Sequence, residues 1–369
     1  MKSASCGKSW SIAAIDTASA NPPSPSQPAA PQITHVNIAR GFRGGERQTE
    51  LLIRELDALG YRQRLVARKA EPLIVRLADL AHLDRRPVAG IPSAVRAVRG
   101  SDLIHIHEGR AIQAAALANV FFGHRYVVTR REIKPIRDHA ITRSMYRRAD
   151  VLVGLSSAIS NQLAEYVPGQ TVETIPSAYT GHDIDKERVR ALRQSFGDRP
   201  VVGHVGALVT AHKGQMMLLQ MAKQRPQYTF VLAGSGRDEA LLKETARDLP
   251  NVIFAGQVSD VHHYLAAFDI FAFPSRHEGL GSTLLDAMAA ELPIAASITG
   301  GIPDIIHHGE NGLLVEPDDE SGWLTAIDQL IKDEPQQLKF ANANRQRISE
   351  FSAEAMALRY HALYARLFS

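Results

Sequence analysis

The stretch Pro274-Ser-Arg-His-Glu-Gly-Leu-Gly-Ser-Thr-Leu-Leu-Asp286 follows an apolar run that ends at Phe273. The apolar run predicts a buried strand, and the periodicity after it predicts a helix that starts near Ser282. The first amides of a helix have no acceptor within the helix and lie at its positive end. A strand, a glycine-containing loop and a helix start in this order therefore predict a phosphate site at the amides of Gly281, Ser282 and Thr283.

Two carboxylates flank that expected helix start. Asp286 lies one turn into the helix on the face of Ser282, and its side chain tilts back toward the N-terminus. A carboxylate there can accept hydrogen bonds from a ribose diol beside the phosphate. Glu278, in the preceding loop, can reach whatever is attached on the other side of the phosphate. Asp286 alone would be an ordinary exposed acid, but the combination indicates a site for a nucleotide that carries a second group.

Outward from this stretch, β-branched runs alternate with helical patterns from Ile33 onward, which predicts parallel sheets with helices on both faces. One set of repeats ends near Pro176 and the next begins at Val201. The α/β chain is therefore expected to form two Rossmann-like, doubly wound domains that face each other across a cleft. The predicted boundaries are 1–31 for a Ser-, Ala- and Pro-rich disordered tail, 32–178 for an N-terminal domain, 179–350 for a C-terminal domain, and 351–369 for a last helix that packs back toward the N-terminal domain.

Length and composition agree with this organisation. The 369 residues suit two domains of roughly 150 residues each. Cys6 is the only cysteine in the sequence, which excludes an intramolecular disulfide and a thiolate metal cage and favours the reducing cytoplasm. The longest apolar stretch, at 111–123, is too short to span a bilayer.

The charge is divided unevenly along the chain. Residues 1–180 carry 24 Lys and Arg against 15 Asp and Glu, a net charge of +9, whereas residues 181–369 carry 18 against 24, a net charge of −6. A basic half suits an anionic ligand or the anionic inner face of the plasma membrane, and a solvated arginine-rich face is the alternative. Aromatic residues make up only 6% and are not interleaved with the arginines, so nucleic-acid binding is not expected.

The stretch at 274–286 and the motifs that follow it, up to residue 315, resemble the retaining glycosyltransferases of family four. Glu278 is followed by Asp286-Ala-Met-Ala, and then by Pro-Ile-Ala-Ala at 293–296, Gly-Gly-Ile-Pro-Asp at 300–304 and Asn-Gly-Leu-Leu-Val at 311–315. The resemblance runs from about Ile33 to the end, and it implies the two-domain GT-B fold. It also implies a UDP-, GDP- or ADP-sugar donor in the C-terminal domain and a glycan or glycolipid acceptor in the N-terminal domain. The family pattern has a second glutamate where Asp286 stands.

The resemblance also assigns roles to residues outside that stretch. Gly44 and Gly45 correspond to the glycine turn that approaches the donor phosphates, and Lys213 corresponds to the lysine that clamps the diphosphate. Many members have an arginine where this chain has Ala207, so one cation of the usual pair is missing. His212 or an arginine of the N-terminal domain is a candidate substitute. Backbone contacts to the base are expected at Gly256 and Val258.

The wall of the N-terminal domain is expected to carry His107 and Arg131. Alternation along a strand puts His105 and His107 on one face. A metal pair is one interpretation, but no third ligand is evident at a suitable spacing, so no metal is expected. Arg131 stands where some relatives have a catalytic histidine. Because an arginine cannot act as a base, its expected role is to stabilise negative charge on a phosphate.

The sequence thus predicts a retaining hexosyl- or heptosyltransferase that needs neither metal nor other cofactor. Its expected pathway is lipopolysaccharide or other cell-surface polysaccharide synthesis, at the cytoplasmic face of the membrane. Glu278, Lys213, His107 and Arg131 are the catalytic candidates. A nucleotide-sugar epimerase of the same fold and a non-catalytic nucleotide-sugar binding protein stay open as alternatives.

Two further motifs are expected to be incidental. Ala-Gly-Ser-Gly at 233–236 is half of a dinucleotide fingerprint whose third glycine is absent, so a dehydrogenase is not expected. Asp183 and Asp185 imitate the metal-binding carboxylate pair of the other large glycosyltransferase fold, but they lie in the connection between the domains. A solvated loop is the preferred interpretation. The acceptor is expected at the arginines of the N-terminal domain, which include Arg137, Arg143, Arg147 and Arg148.

Overall fold

The structure is a computed structural model that describes residues 31–181 and 183–369. The predicted tail at 1–31 lies outside the described residues except for Pro31. The described chain forms two parallel β-sheets, each flanked by helices, which confirms the predicted fold class. We call the first sheet with its helices the N-terminal domain and the second the C-terminal domain.

The N-terminal sheet has the strand order β3-β2-β1-β4-β5-β6-β7, and every pairing in it is parallel. The chain order reverses between β1 and β4, the point at which ligands bind in open sheets of this kind. Its strands are β1 (Gln32–Asn37), β2 (Arg62–Arg68), β3 (Asp84–Val88), β4 (Leu103–Ile106), β5 (Arg125–Arg130), β6 (Val151–Gly154) and β7 (Val172–Thr174).

The C-terminal sheet has the order β10-β9-β8-β11-β12-β13, also with parallel pairing, and it reverses between β8 and β11. The stretch at 274–286 follows β11 and therefore lies at this second reversal point. The strands are β8 (Val201–Val205), β9 (Thr229–Ala233), β10 (Val252–Gly256), β11 (Ile270–Phe273), β12 (Ile294–Ser297) and β13 (Leu313–Val315).

Helices fill most of the connections, as expected for crossovers between parallel strands. The helices before the second sheet are α1 (Gly44–Ala58), α2 (Pro72–Arg76), α3 (Ile91–Ala97), α4 (Ile112–Phe122), α5 (Ala140–Arg147), α6 (Ser157–Tyr166) and α7 (Lys186–Ser195). Those that follow are α8 (Thr210–Lys213), α9 (Gln215–Gln224), α10 (Glu239–Thr245), α11 (Val261–Ala266), α12 (Ser282–Ala289), α13 (Ile302–Ile305), α14 (Glu320–Lys332), α15 (Glu334–Arg347), a 3-10 turn (Ile348–Phe351) and α16 (Ala353–Phe368). Among the described helices, none is both long and apolar enough to cross a bilayer.

Three edge strands were not apparent from hydrophobic periodicity: β3, β7 and β13. Strand β3 reads Asp-Arg-Arg-Pro-Val, and only Val88 of the five is buried. A sheet edge tolerates charged side chains and a proline because one side of the strand needs no hydrogen-bonding partner. Strands β7 and β13 have three residues each, which is too short for a periodic pattern.

The C-terminal helix packs on the N-terminal sheet. Met356, Tyr360, Leu363 and Tyr364 of α16 are buried in one cluster with apolar residues of β1, β4, β5 and β6. Ser352 starts this helix, since its hydroxyl accepts a hydrogen bond from the amide of Ala355 at 3.0 Å. The chain therefore crosses from the first sheet to the second and returns. The two crossings meet where the amide of Tyr179 donates to the carbonyl of Phe351 at 2.9 Å.

Candidate active site

The starts of two helices face each other where the domains meet. A Cβ atom placed on Gly44, the first residue of α1, would lie 3.7 Å from the hydroxyl of Ser282, the first residue of α12. A Cβ on Gly45 would lie 3.5 Å from the Cδ atom of Arg131. These glycines let the backbone of the N-terminal domain approach the C-terminal domain closely. The structure thus brings together Gly44, Gly45, Arg131 and Ser282, which the sequence had placed in one site.

Lys213 and Glu278 form an ion pair beside these helix starts. The Nζ atom of Lys213 lies 2.5 Å from Oε2 of Glu278, and both side chains are largely buried, with 23% and 15% of their surface exposed. The pair is positioned by backbone contacts, because the amides of Arg276 and His277 both donate to the carbonyl of His212, at 2.8 and 3.3 Å. Helix α8 and the loop after β11 therefore hold each other in place.

The glycine between α8 and α9 is required for this arrangement. Gly214 has φ +66°, and a Cβ atom on it would lie 1.8 Å from the carbonyl oxygen of Pro274. Only glycine fits this backbone conformation and this close approach without strain. Lys213 consequently ends α8 directly above the loop that carries Glu278, and its ammonium group lies 5.2 Å from the centre of the Phe273 ring.

The start of α12 has the geometry of an anion site. Gly281 precedes the helix with φ +88°, a left-handed conformation that favours glycine, and its carbonyl accepts a hydrogen bond from the amide of Leu284 at 2.8 Å. Within residues 31–181 and 183–369, no group accepts a hydrogen bond from the amides of Ser282 or Thr283. Two free donors at the positive end of a helix favour a phosphate oxygen.

Asp286 contacts the segment that connects the domains. Its Oδ1 atom accepts hydrogen bonds from the amide and the hydroxyl of Thr180, at 2.8 and 2.9 Å. Burial raises the pKa of Asp286 to about 6, although both hydrogen bonds act in the opposite direction. Thr180 was not recognised from the sequence as part of the site, and no local motif marks it. The predicted contact between Asp286 and a ribose stays a prediction.

Gly256 and Val258 end and follow β10, as expected for a loop that borders a base. Gly256 has φ +70°, and a Cβ atom there would meet no described heavy atom within 4 Å. Its carbonyl accepts a hydrogen bond from the amide of Gly234 at 2.7 Å. Gly234 in turn leaves no room for a side chain, since its Cβ would lie 2.0 Å from the carbonyl oxygen of Gly206. The glycines of the half fingerprint at 233–236 therefore serve the packing of two loops.

The two histidines of β4 belong to a network that includes a third histidine. Nδ1 of His35 lies 2.9 Å from Nε2 of His107, and Nε2 of His35 lies 3.0 Å from the side-chain oxygen of Gln63. The nitrogens of His105 contact the hydroxyls of Thr129 and Tyr364, at 2.7 and 2.6 Å.

His35 corrects the expectation that a third nitrogen ligand is lacking, since the three rings offer nitrogens within 4.8 Å of one another. Hydrogen bonds already occupy five of the six ring nitrogens, and the exception is Nδ1 of His107. Burial lowers the pKa of all three histidines, that of His35 to about 4, so the network is neutral near pH 7. His107 is only 1% exposed. Its part in the chemistry stays a prediction.

Arg131 is a buried cation beside the start of α1. Its Nε and Nη1 atoms are buried without a hydrogen-bonding partner among the described residues. Burial lowers the pKa of the guanidinium, and the nearby Glu46 partly opposes this effect. An arginine stays protonated even so. Arg131 is thus a cation of the N-terminal domain beside the start of α1, and its substitution for the cation that is missing at Ala207 stays a prediction.

Asp183 and Asp185 differ in their surroundings. Asp185 caps α7, since its carboxylate accepts hydrogen bonds from the amides of Glu187 and Arg188 at 2.9 and 3.2 Å. Asp183 is exposed. Both residues thus lie in a solvated connection between the domains, as expected, and Asp185 has a structural role as the cap of α7.

Two facing Rossmann-like domains with opposed helix starts, and the Lys213–Glu278 pair of the C-terminal domain beside them, define a GT-B glycosyltransferase that uses a nucleotide-sugar donor. Two family models match the chain: "Glycosyl transferase 4-like domain" over residues 43–178 and "Glycosyl transferases group 1" over residues 199–333. The matches are 136 and 135 residues long and together cover 271 of the 369 residues. The chain belongs to the glycosyltransferase family that these two domain models describe.

Individual relatives agree with the family. The chain is 29% identical over 238 residues to the lipopolysaccharide core biosynthesis glycosyltransferase LpsE of Rhizobium meliloti (strain 1021), covering 63% of this chain and 69% of that protein. It is 26% identical over 227 residues to the N-acetyl-alpha-D-glucosaminyl L-malate synthase of Bacillus anthracis, covering 59% and 60%. Its fold matches that of HepE from Anabaena in complex with UDP, with a TM-score of 0.79 and 20% identity over 91% of this chain and all of that one.

Proposed function

We propose that this glycosyltransferase moves a hexose or heptose from a nucleotide diphosphate donor to a glycan or glycolipid acceptor, with retention at the anomeric carbon. The observation that carries the proposal is the Lys213–Glu278 pair, 2.5 Å apart, beside the free amides at the start of α12. One relative is named for lipopolysaccharide core biosynthesis, and the HepE structures contain UDP or UDP-glucose. These names support a cell-surface polysaccharide pathway and a UDP-sugar as the first donor to test.

The arrangement of charges suggests how the donor bond breaks. As the bond between the anomeric carbon and the diphosphate oxygen breaks, negative charge grows on the leaving diphosphate. Lys213, the amides of Ser282 and Thr283, and Arg131 from the other domain would stabilise that charge. The sugar passes through an oxocarbenium-like state, as in glycoside hydrolysis, and Glu278 would orient its hydroxyl groups.

The acceptor then forms its bond on the face that the diphosphate leaves. The acceptor hydroxyl oxygen bonds to the anomeric carbon, and its proton passes to an oxygen of the leaving diphosphate. This step needs no side-chain base and no metal ion. The acceptor would approach from the N-terminal domain, where Arg137 is exposed after β5; Arg147 and Arg148 are also exposed but lie at the far end of α5, near the start of β6. Their charge favours a phosphorylated acceptor at an anionic membrane surface.

A panel of nucleotide sugars tests the proposal. Thermal-shift measurements with UDP-, GDP- and ADP-glucose should show stabilisation by one nucleotide class, because specific binding favours the folded state. With that donor and a lipopolysaccharide-core acceptor, Glu278→Gln should lower turnover at least about 100-fold. The matched control is Glu310→Gln, since Glu310 is an exposed glutamate remote from the cleft. Full turnover by Glu278→Gln would exclude its assigned role.

The same assay separates the alternatives. Transfer requires acceptor for nucleotide release and gives a product whose anomeric configuration matches the donor by NMR. An epimerase would convert the donor without acceptor, and a non-catalytic binding protein would be stabilised by the donor without turnover. Chelation by EDTA should leave the rate unchanged. A loss that manganese restores would contradict the metal-independent mechanism.

A further inference from the structure

Three backbone segments from the two domains pack against one another beside Glu278. A Cβ atom on Gly301 would lie 2.3 Å from the carbonyl oxygen of Gly279 and 2.4 Å from the Cβ atom of Ser156. A Cβ on Gly300 would lie 1.8 Å from the carbonyl oxygen of Glu278. The turn at 300–301 therefore has no room for side chains where it meets the Glu278 loop and the start of α6.

Hydrogen bonds from both domains hold the loop. The amide of Gly301 donates to the carbonyl of Glu278 at 3.2 Å, within the C-terminal domain. The hydroxyl of Ser156, in the N-terminal domain, donates to the carbonyl of Gly279 at 2.6 Å. The earlier part of the loop is held by its own domain through the carbonyl of His212. The part at Glu278 and Gly279 thus depends on the other domain as well.

Asp304 joins the domains at the same place. Its carboxylate accepts hydrogen bonds from the amide and the hydroxyl of Ser157, the first residue of α6, at 2.6 and 2.7 Å. A carboxylate at a helix start gains from the free amides and from the helix dipole. Arg347 fixes the turn from behind, since it donates to the carbonyls of Asp304 and Ile305 at 2.8 and 2.9 Å. A helix of one domain is therefore capped by an acid of the other.

We propose that Asp304 is a positioning residue for sugar transfer. By capping α6 across the cleft, it keeps Ser156 on the carbonyl of Gly279 and so holds Glu278 beside Lys213 only while the domains are together. This role rests on the function proposed above for Glu278. Its physical advantage is that the charged site is assembled only when the cleft is closed and water is excluded from the sugar.

Hydrogen–deuterium exchange measured by mass spectrometry tests the proposal without substrate. In Asp304→Ala, peptides that span 276–283 and 156–160 should exchange about tenfold faster than in the wild type, since two charge-assisted hydrogen bonds are lost. Asp304→Asn keeps one acceptor and should give an intermediate rate. The matched control is Asp319→Ala, because Asp319 caps α14 within the C-terminal domain through the amide of Gly322 at 2.9 Å. In the control, faster exchange should be confined to the start of α14.

Gly301→Ala provides a second variant that leaves the carboxylate in place. Gly301 has φ −89°, which alanine adopts without strain, so the substitution acts through the missing space alone. It should separate the segments and raise exchange at 276–283 in the same way. Unchanged exchange there in both Asp304→Ala and Gly301→Ala would overturn the proposal.

Turnover of the donor found in the nucleotide-sugar panel adds a kinetic readout. Asp304→Ala should lower kcat about tenfold while the donor KM changes less than twofold, because the nucleotide contacts stay intact. Asp304→Asn should recover part of kcat. An equal loss in Asp319→Ala would show a general structural effect and contradict the proposal. A wild type that turns over no nucleotide sugar would refute the proposed function instead, and the exchange measurement would still decide the role of Asp304 in positioning the loop.

Discussion

The carboxylate of Asp286 is held by the amide and the hydroxyl of Thr180, yet burial raises its pKa to about 6. Lys213 and Glu278 differ from Asp286 in that each group has a partner of opposite charge at 2.5 Å. Arg131 is a third case, with two buried nitrogens that have no partner among the described residues. The cleft therefore holds a satisfied ion pair, a carboxylate whose ionised form is disfavoured by burial, and an arginine suited to an anion.

Asp286 should make folding stability depend on pH in a defined direction. Its pKa is raised from 3.8 in the unfolded chain to about 6 in the folded protein, so folding favours the protonated form. The stability that this provides is fully present below pH 4 and is lost as the pH rises through about 6.

Urea unfolding of the wild type and of Asp286→Asn, compared from pH 4 to pH 7.5, checks this dependence. The asparagine keeps an acceptor for Thr180 and does not titrate, so its free energy of unfolding should rise relative to the wild type between pH 4 and pH 6. A difference between the two proteins that does not change with pH would contradict the prediction.

Helix α16 illustrates how an element far along the chain completes a distant core. It brings the hydroxyls of Tyr360 and Tyr364 onto Thr129 and His105 of the N-terminal sheet, at 2.8 and 2.6 Å. Its apolar stripe could be predicted from the sequence as ordinary packing. The polar side of the contact could not, because a tyrosine at helical spacing carries no signal for the particular histidine that it meets.

Removing one of these hydroxyls should destabilise the fold. Tyr364→Phe leaves Nδ1 of the fully buried His105 without a partner, which should lower the free energy of unfolding by about 1–3 kcal/mol. The matched control is Tyr61→Phe, which removes a similar bond to His361 at a more exposed position. The control should cost less than about 1 kcal/mol. Urea denaturation measures the free energy of unfolding of both variants. Equal losses would show that the buried hydrogen bond of Tyr364 contributes no more to stability than the exposed one of Tyr61.

At the scale of the whole molecule, charge is separated between the two halves of the chain. The net charges of +9 for residues 1–180 and −6 for residues 181–369 place the attraction for anions in the half that contains the N-terminal domain. Arg137, exposed after β5, lies toward the end of that domain where its strands finish, whereas the exposed Arg147 and Arg148 lie at the other end of α5, near the start of β6. This distribution favours an orientation with the N-terminal domain toward an anionic surface.

Vesicle co-sedimentation tests that orientation. The protein should bind vesicles of phosphatidylglycerol at 50 mM salt, and binding should weaken at 500 mM as the charges are screened. Arg147→Glu combined with Arg148→Glu should reduce binding at least about 30-fold, because each of the two arginines contributes roughly 1 kcal/mol near the surface. Arg85→Glu combined with Arg86→Glu changes net charge equally at strand β3 and should have a smaller effect. Equal losses of vesicle binding in the two double variants would mean that the net charge of the protein alone attracts it to the membrane.

Local patterns were enough to predict the two sheets and the helix start at Ser282, whereas the place of Gly44 near that helix start followed from the family resemblance. Strand alternation, helical spacing and glycine turns act over a few residues, and the crossover rule then fixes where strand ends must lie. Several contacts came only from the tertiary structure: Thr180 on Asp286, His35 beside His107, and Ser157 on Asp304. Their partners are 72 to 147 residues apart, as in the pairs His35–His107 and Ser157–Asp304. Such distances are set by how whole domains pack, and no periodicity along the chain encodes them.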